Sequence, residues 1–154
     1  MKSIQNWLDE YAVSHQNPIN KTIHWICVPL IFFSIMGMLY SVKFPVELMA
    51  GYKLNLALPI LVGVILYYFM LSRTLWIGML LYSAVCVLAA EGIERTGLPL
   101  WLVCIAIFVL AWVGQFYGHN VEGKKPSFFK DLQFLMIGPA WLMSFIYKRL
   151  GVSL

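Results

Sequence analysis

The sequence of 154 residues predicts an all-α protein, a multi-pass membrane helical bundle that forms a single transmembrane domain over residues 1–154. Two observations lead to this prediction. First, 61% of the residues are hydrophobic and only 12% are charged, whereas soluble domains carry about 25% charged residues. Second, the apolar residues form long runs, and about 20 residues of helix cross the roughly 30 Å hydrocarbon core of a bilayer. We expect four such spans, preceded by an N-terminal amphipathic helix and followed by a C-terminal broken or re-entrant helix.

The composition also excludes other classes of protein. The net charge of +4 is spread over loops beside apolar runs, so we expect membrane lipid, and no nucleic acid, as a partner. The cysteines, Cys27, Cys86 and Cys104, lie inside apolar runs and form no CxxC pair. This pattern indicates neither a disulfide framework nor a zinc motif.

The first element is a short amphipathic helix over residues 3–14. Its apolar residues follow the i, i+3, i+4, i+7, i+8 pattern of one helix face: Ile4, Trp7, Leu8, Tyr11 and Ala12. Such a helix lies along a membrane interface rather than across it. Residues 15–21 are a polar break with a turn signal at Asn17-Pro18, and Asn20 is placed to cap the helix that follows.

The apolar runs give four predicted spans, at residues 22–40, 55–71, 75–90 and 100–117. Residues 41–54, with Lys43, Pro45 and Glu47, are predicted to form a loop. The last apolar stretch, residues 132–147, has only sixteen residues and contains Gly138-Pro139. Because this is short for a span, we expect a broken or re-entrant helix packed on the bundle.

The distribution of basic residues supports four spans with the N-terminus inside. If the last stretch does not cross, eight basic residues lie inside: Lys2, Lys21, Arg73, Lys124, Lys125, Lys130, Lys148 and Arg149. Three lie outside: Lys43, Lys53 and Arg95. If the last stretch crosses, Lys148 and Arg149 move outside and the split becomes six to five. The first topology is better polarised, and it places the start of span one and the end of span four on the cytoplasmic side.

This topology brings together all the histidines of the chain, His15, His24 and His119. Three histidines at one membrane interface predict a shared metal site, with Glu122 as a further candidate ligand. Imidazole suits iron, zinc, copper and nickel, so the ligand type leaves the metal open. Three protein ligands leave positions open for substrate and dioxygen, as in mononuclear iron(II) oxygenases. The alternative is that the histidines only form hydrogen bonds.

Polar residues surround the three histidines in the sequence. Asn20 lies four residues before His24, and Gln115 lies four residues before His119, so each pair shares a helix face. Polar side chains at membrane depth are costly and usually functional. We therefore count these residues, with Asn17 and Lys21, among the candidates for the site.

Two motifs of this region resemble a known family of small membrane proteins. The first is Y-x3-H-x-N-P-x-N-x3-H-x4-P, formed by Tyr11, His15, Asn17, Pro18, Asn20, His24 and Pro29. The second is W-x2-Q-F-x-G-H followed by E-G-x-x-P, formed by Trp112, Gln115, Phe116, Gly118, His119, Glu122, Gly123 and Pro126. Both resemble the 2-hydroxy fatty acid dioxygenases, which act in the breakdown of phytosphingosine to odd-chain fatty acids.

The resemblance implies an Fe(2+)-dependent enzyme that uses dioxygen for the α-oxidation of a 2-hydroxy fatty acid. The acid would lose its carboxyl carbon as carbon dioxide and become one carbon shorter. His15, His24 and His119 would be the essential residues. Glu122 lies three residues after His119, where the family pattern has four, so the resemblance supports it less as a ligand.

The residues around the histidines suggest how this chemistry would be supported. The 2-hydroxyl and carboxylate of the substrate would chelate the metal, and Lys21 would neutralise the carboxylate. Asn17, Asn20 or Gln115 would orient the metal ligands through hydrogen bonds. A fatty acid suits this place, because its tail belongs in lipid and its head at the interface.

Two alternatives stay open on the sequence. One is a non-catalytic membrane protein that binds lipid or a partner, and the other is a zinc-dependent membrane hydrolase. Metal content separates them from the dioxygenase. The protein is expected to be integral to a bacterial inner membrane or the endoplasmic reticulum, with the metal site at the cytoplasmic face. Substrate chain length, stereochemistry and oligomeric state do not follow from the sequence.

Overall fold

The computed structural model describes residues 2–49, 51–123 and 128–154, and the side chains of residues 128–133 are outside this description. The fold is mostly helical. Its elements are α1 (Ile4–Ala12), α2 (Pro18–Tyr40), β1 (Lys43–Met49), β2 (Tyr52–Asn55), α3 (Ala57–Leu71), α4 (Leu75–Arg95), α5 (Leu100–Glu122) and α6 (Phe128–Arg149). Lys124, Lys125, Pro126 and the Lys130 side chain, which the topology and motif predictions used, lie outside the described residues.

Three of the described helices, α2, α4 and α5, are long and apolar enough to cross a membrane. Large apolar side chains cover their outer surfaces: Leu88 on α4 is 70% exposed and Leu110 on α5 is 71% exposed. The second predicted span, residues 55–71, contains α3, which has only 15 residues where about 20 are needed. Three spans are therefore supported by length, and the crossing of α3 stays a prediction.

The predicted loop at residues 41–54 is wrong, because it contains the antiparallel hairpin of β1 and β2. The strand β1 carries apolar side chains at every second position, Phe44, Val46 and Leu48, which is the period of a strand. Pro45 and Glu47, which lie between these apolar residues, gave a loop signal that hid the alternation. The hairpin lies at the end of the bundle opposite the histidines, where the Lys43 ammonium donates to the Glu94 carboxylate at 3.0 Å.

A helix, α1, occupies the N-terminal segment, and its apolar face is buried against protein. Leu8 and Tyr11 are 5% and 4% exposed and join a core cluster with Ile137 and Trp141 of α6. The face that the sequence assigned to a membrane interface is therefore covered by α6. This contact holds the segment that follows α1, including His15, against the bundle.

The start of α2 differs from the prediction. The helix begins at Pro18, and Asn17 is its N-cap, with its side-chain oxygen accepting from the Ile19 amide at 2.8 Å. Proline at the first helical position needs no amide donor, so the Asn17-Pro18 pair starts the helix. Asn20, predicted as the cap, lies inside the helix and is fully buried.

The antiparallel pair α2 and α5 packs through small residues along its length. A Cβ atom added at Gly37 would clash with Cys104, one at Gly114 with Cys27, and one at Gly118 with Asn20. Small residues let membrane helices approach closely and gain packing contacts. This close approach sets the start of α2 beside the end of α5.

The predicted break at Gly138-Pro139 is wrong, since α6 continues through both residues. Proline removes one backbone hydrogen bond and exposes carbonyls of the preceding turn. The Tyr68 hydroxyl donates to the Met136 carbonyl in that turn, at 2.5 Å. A Cβ at Gly138 would lie 3.1 Å from the Tyr11 hydroxyl, so this glycine serves helix packing.

The C-terminal end of α6 is joined to the connection between α3 and α4. The Tyr147 hydroxyl donates to the Thr74 carbonyl at 2.8 Å and accepts from the Gly78 amide at 2.9 Å. Trp25, near the start of α2, lies 6.1 Å from Phe145, centroid to centroid. The end of α6 is therefore at the same end of the bundle as the start of α2.

Candidate metal centre

The three histidines meet, as the sequence predicts. His15 lies in the connection between α1 and α2, His24 in the second turn of α2, and His119 in the last turn of α5. One ring nitrogen of each can be chosen so that all three atoms lie within 4.8 Å of one another. His15 and His24 are each only 1% exposed. Three converging imidazoles from three segments form a candidate metal centre.

Backbone carbonyls fix the orientation of two of the rings. His15 Nδ1 lies 2.6 Å from the Tyr11 carbonyl oxygen, and His24 Nδ1 lies 2.9 Å from the Asn20 carbonyl oxygen. A carbonyl oxygen only accepts, so each Nδ1 carries the proton and donates it. Each Nε2 atom is then left with an unprotonated lone pair.

These two lone pairs face each other. The Nε2 atoms of His15 and His24 are 2.9 Å apart, and neither carries a proton to share when both rings are neutral. Two imidazole nitrogens bound at right angles to one ion, each at about 2.1 Å, lie about 3.0 Å apart. A metal ion held by both rings would account for this distance, and the donor set fits a transition metal.

The surroundings of His15 favour its neutral form, which is the form that binds metal. Burial, with smaller contributions from the positive charges of His119 and Lys21, lowers the pKa of His15 to about 4. At pH 7 a proton shared between His15 and His24 is thus disfavoured. A transition-metal ion, which binds the neutral imidazole nitrogen, would suit the position between the two rings better than a proton.

Aromatic residues that were not predicted as site residues form the wall behind His15. The Tyr11 ring stacks on the His15 ring with centroids 4.0 Å apart and planes 7° apart. The ring centroid of Trp141, on α6, lies 5.5 Å from that of His15. The i, i+4 spacing of Tyr11 and His15 in the sequence could have identified Tyr11 as a neighbour of the His15 ring. The contribution of α6 had no signal in the sequence, because it depends on how this helix folds back over α1.

A small cavity opens beside the histidines, with a volume of about 50 Å³. Gln115 and Trp112 of α5 and Phe134 and Leu135 of α6 complete its walls. Within the part of the chain that the structure describes, the Gln115 carbonyl oxygen and the Trp112 indole nitrogen are buried without a hydrogen-bond partner. Buried polar atoms of this kind usually have a partner, so a bound polar group is expected here. The cavity suits an ion and a small polar head.

Glu122 joins the two motifs without entering the histidine cluster. One carboxylate oxygen accepts from the Gln16 amide at 2.8 Å, and the other accepts from the Asn17 amide at 2.9 Å and the Asn20 side-chain amide at 3.1 Å. Both oxygens are thus directed at the start of α2. A charge-assisted contact of this kind fixes the end of α5 against the segment that carries His15.

The remaining predicted residues are near the site in different roles. Asn17 caps α2, and the Asn20 side chain donates to the Ser14 carbonyl at 3.3 Å as well as to Glu122. Lys21 is half-buried, and it forms no ion pair among the described residues. Gln115 is the one member of this group that lines the cavity.

Comparison with known proteins shows which family and which curated protein the chain resembles. Residues 1–150 match the family described as "Mpo1-like: 2-hydroxy-palmitic acid dioxygenase Mpo1-like". The chain is 30% identical over 148 residues to the 2-hydroxy-palmitic acid dioxygenase MPO1 of Saccharomyces cerevisiae. The aligned region covers 94% of this chain and 80% of that protein. No solved structure matches.

Proposed function

The chain belongs to the Mpo1-like family of 2-hydroxy-palmitic acid dioxygenases, and from this we propose that it is a membrane Fe(2+)-dependent dioxygenase of 2-hydroxy fatty acids. Family membership makes it a dioxygenase-like oxidoreductase of lipid metabolism. The observation that supports a metal site is the distance of 2.9 Å between the Nε2 atoms of His15 and His24. A ring nitrogen of His119 completes a cluster of three atoms that lie within 4.8 Å of one another.

The proposed reaction balances without a further reductant. A 2-hydroxy acid, R–CH(OH)–COOH, and one dioxygen give R–COOH, carbon dioxide and water. The bond between the carboxyl carbon and the hydroxyl-bearing carbon breaks. The substrate loses four electrons and dioxygen accepts four, so substrate and dioxygen suffice.

His15, His24 and His119 would hold the ferrous ion. When bound, this ion supplies the one-electron chemistry that lets dioxygen react with a closed-shell organic acid. The backbone carbonyls of Tyr11 and Asn20 keep the Nδ1 protons of His15 and His24 in place, which presents both Nε2 lone pairs to the ion. Glu122 holds the segment carrying His15 against the end of α5.

Two further residues would act on the head of the substrate. Gln115 lines the cavity, and its carbonyl oxygen has no other partner within the described residues, so it would accept a hydrogen bond from the 2-hydroxyl. Lys21 follows the buried Asn20 on α2, and its ammonium would neutralise the substrate carboxylate. The apolar walls formed by Trp112 and Phe134 would exclude bulk water and strengthen both contacts.

We place the metal centre at the cytoplasmic face of the membrane, with α6 packed at that face. The start of α2, the connection between α3 and α4, and the end of α6 are at one end of the bundle, through the contacts of Tyr147 with Thr74 and of Trp25 with Phe145. Arg73, Lys148 and Arg149 belong to this end, which agrees with the positive-inside tendency of membrane proteins. The hairpin would lie at the other face.

A turnover assay tests the function. The full-length protein, purified anaerobically in mild detergent and supplied with ferrous iron, is mixed with 2-hydroxypalmitate and oxygenated buffer. We expect equal amounts of dioxygen consumed, carbon dioxide released and fifteen-carbon acid formed. Palmitate, which lacks the 2-hydroxyl, and the variant His119→Ala are the controls and should give no product. Absence of turnover in iron-loaded, folded protein, or turnover without dioxygen, would contradict the proposal.

A further inference from the structure

We propose that a second cavity, between α2, α3 and α6, is the channel for the alkyl chain of the substrate, and that the α3 side of this channel sets the preferred chain length. The identity of the chain rests on the proposed function. The channel itself rests on the cavity, its position and its chemistry.

The second cavity is suited to hydrocarbon. It has a volume of about 130 Å³, and every side chain that lines it is apolar. The α2 side is formed by residues such as Phe32, Met36 and Leu39, and the α3 side by residues such as Ile60 and Val64. A cavity of this composition offers no hydrogen bond to a ligand, so it would bind an alkyl chain by burying apolar surface.

The second cavity adjoins the metal centre. Leu135 of α6 lines both the histidine cavity and the second cavity. On α2, Ile31 lines the histidine cavity and the next residue, Phe32, lines the second. The two cavities are therefore neighbours along α2, and a ligand whose head lies at His15 and His24 would pass Leu135 to place its tail in the second cavity.

The length of this path fits a fatty acid. His24 and Leu39 are fifteen residues apart on α2, which corresponds to about 22 Å at the rise of an α-helix. A sixteen-carbon chain with carbon–carbon bonds of about 1.5 Å is about 19 Å long when fully extended. The methyl end of such a chain would thus come within about 3 Å of the far end of the cavity.

The α3 residues are ordered by depth along this path. Val64 is one helical turn from Tyr68, whose hydroxyl donates to the Met136 carbonyl, so Val64 is at the Leu135 end. Ala57 packs with Met36 in another core cluster and is at the far end. Ile60 lies about 6 Å deeper than Val64 along α3, a distance of roughly four to five methylene groups.

This order gives a graded test of chain-length selectivity. The variants Val64→Phe and Ile60→Phe are compared with wild type on 2-hydroxy acids of twelve to eighteen carbons. Val64→Phe should lower kcat/KM for the sixteen-carbon acid by about 10-fold or more, because the added ring fills the channel near Leu135. Its activity on the twelve-carbon acid should be retained. Ile60→Phe should shorten the preferred chain less, because Ile60 lies deeper. The acid that it prefers should be roughly four to five carbons longer than the acid that Val64→Phe prefers.

The matched control is Val62→Phe. Val62 is 60% exposed and lies two positions from Val64, on the opposite side of α3, outside this cavity. It adds the same ring to the same helix and should leave the preferred chain length unchanged. An unchanged preference in folded, active Val64→Phe, or an equal shift in Val62→Phe, would overturn the proposal.

A binding experiment keeps the channel testable if turnover fails. Wild-type protein is irradiated with a sixteen-carbon fatty acid that carries a diazirine at its methyl end, and the labelled residues are mapped by mass spectrometry. We expect labelling around Met36, Leu39 and Ala57, suppressed by excess 2-hydroxypalmitate. Labelling confined to outward-facing residues such as Leu88 and Leu110 would overturn the channel, whereas labelled channel residues without any turnover would count only against the proposed reaction.

Discussion

The Nε2 atoms of His15 and His24 lie 2.9 Å apart while the Nδ1 atom of each ring faces a backbone carbonyl. The carbonyls belong to Tyr11 and Asn20, each four residues before its histidine. Two rings held in this way direct their lone pairs at one point, and a cation bound by both rings would relieve the repulsion. The backbone carbonyls near the start of α2 therefore fix the orientation of both rings.

Glu122 is predicted to position the centre rather than to bind its ion. The variant Glu122→Ala should leave the amides of Gln16 and Asn17 without their partner and lower the free energy of unfolding by about 1–3 kcal/mol. Iron affinity should fall by about 10- to 100-fold, without complete loss at high iron. Both quantities are measured by thermal unfolding and iron titration in detergent.

The control for Glu122→Ala is Tyr40→Phe at the opposite end of the bundle. It removes the hydrogen bond from the Tyr40 hydroxyl to Glu91, at 2.6 Å, and should lower stability with no change in iron affinity. Complete loss of iron from folded Glu122→Ala, under conditions in which Tyr40→Phe retains it, would identify Glu122 as a ligand.

Gly118 is predicted to be essential for bringing the two motifs together. A Cβ atom at this position would clash with the side-chain oxygen of Asn20, so Gly118→Ala should push α5 away from α2. We expect a loss of about 1–3 kcal/mol in the free energy of unfolding together with weaker iron binding.

Gly92→Ala in α4 is the matched control, because a Cβ atom there would meet nothing within 4 Å. It should be neutral or raise stability by about 0.4–1 kcal/mol. Equal stability and iron affinity in Gly118→Ala and Gly92→Ala would show that the close approach of α2 and α5 is not required.

Gln115 is predicted to act on the substrate and not on the ion. Gln115→Leu keeps the size of the side chain and removes its polar atoms, so iron content should stay near wild type. The kcat/KM for a 2-hydroxy acid should fall by about 10-fold or more, since the substrate hydroxyl would lose its hydrogen-bond partner. Stopped-flow turnover beside iron analysis measures both, and loss of iron in this variant would contradict the assignment.

The histidine cluster was predictable because the chain offers few polar groups at membrane depth. His15, His24 and His119 are its only histidines, and the alternation of apolar helices brings their segments to one end. The groups that orient the rings were not predictable. Carbonyls such as those of Tyr11 and Asn20 are present in every residue, and only the folded backbone selects them.

The errors in the fold have local physical causes. Pro45 and Glu47 concealed the alternating strand of β1, and Gly138-Pro139 gave a breaker signal that helix packing overrides. The Tyr68 hydroxyl donates a hydrogen bond to the Met136 carbonyl, which gives a partner to one acceptor in the turn that Pro139 disrupts. Such compensation comes from residues distant in sequence, which is why a local pattern does not reveal it.

Metal analysis of the full-length protein, purified anaerobically in mild detergent, tests the central claim most directly. The wild type is compared with His15→Ala, His24→Ala and His119→Ala, with thermal unfolding to establish that each is folded. We predict about one iron per chain in the wild type and its loss in each variant. Zinc at the same stoichiometry, or a folded wild type that binds no metal when ferrous iron is supplied, would contradict the account.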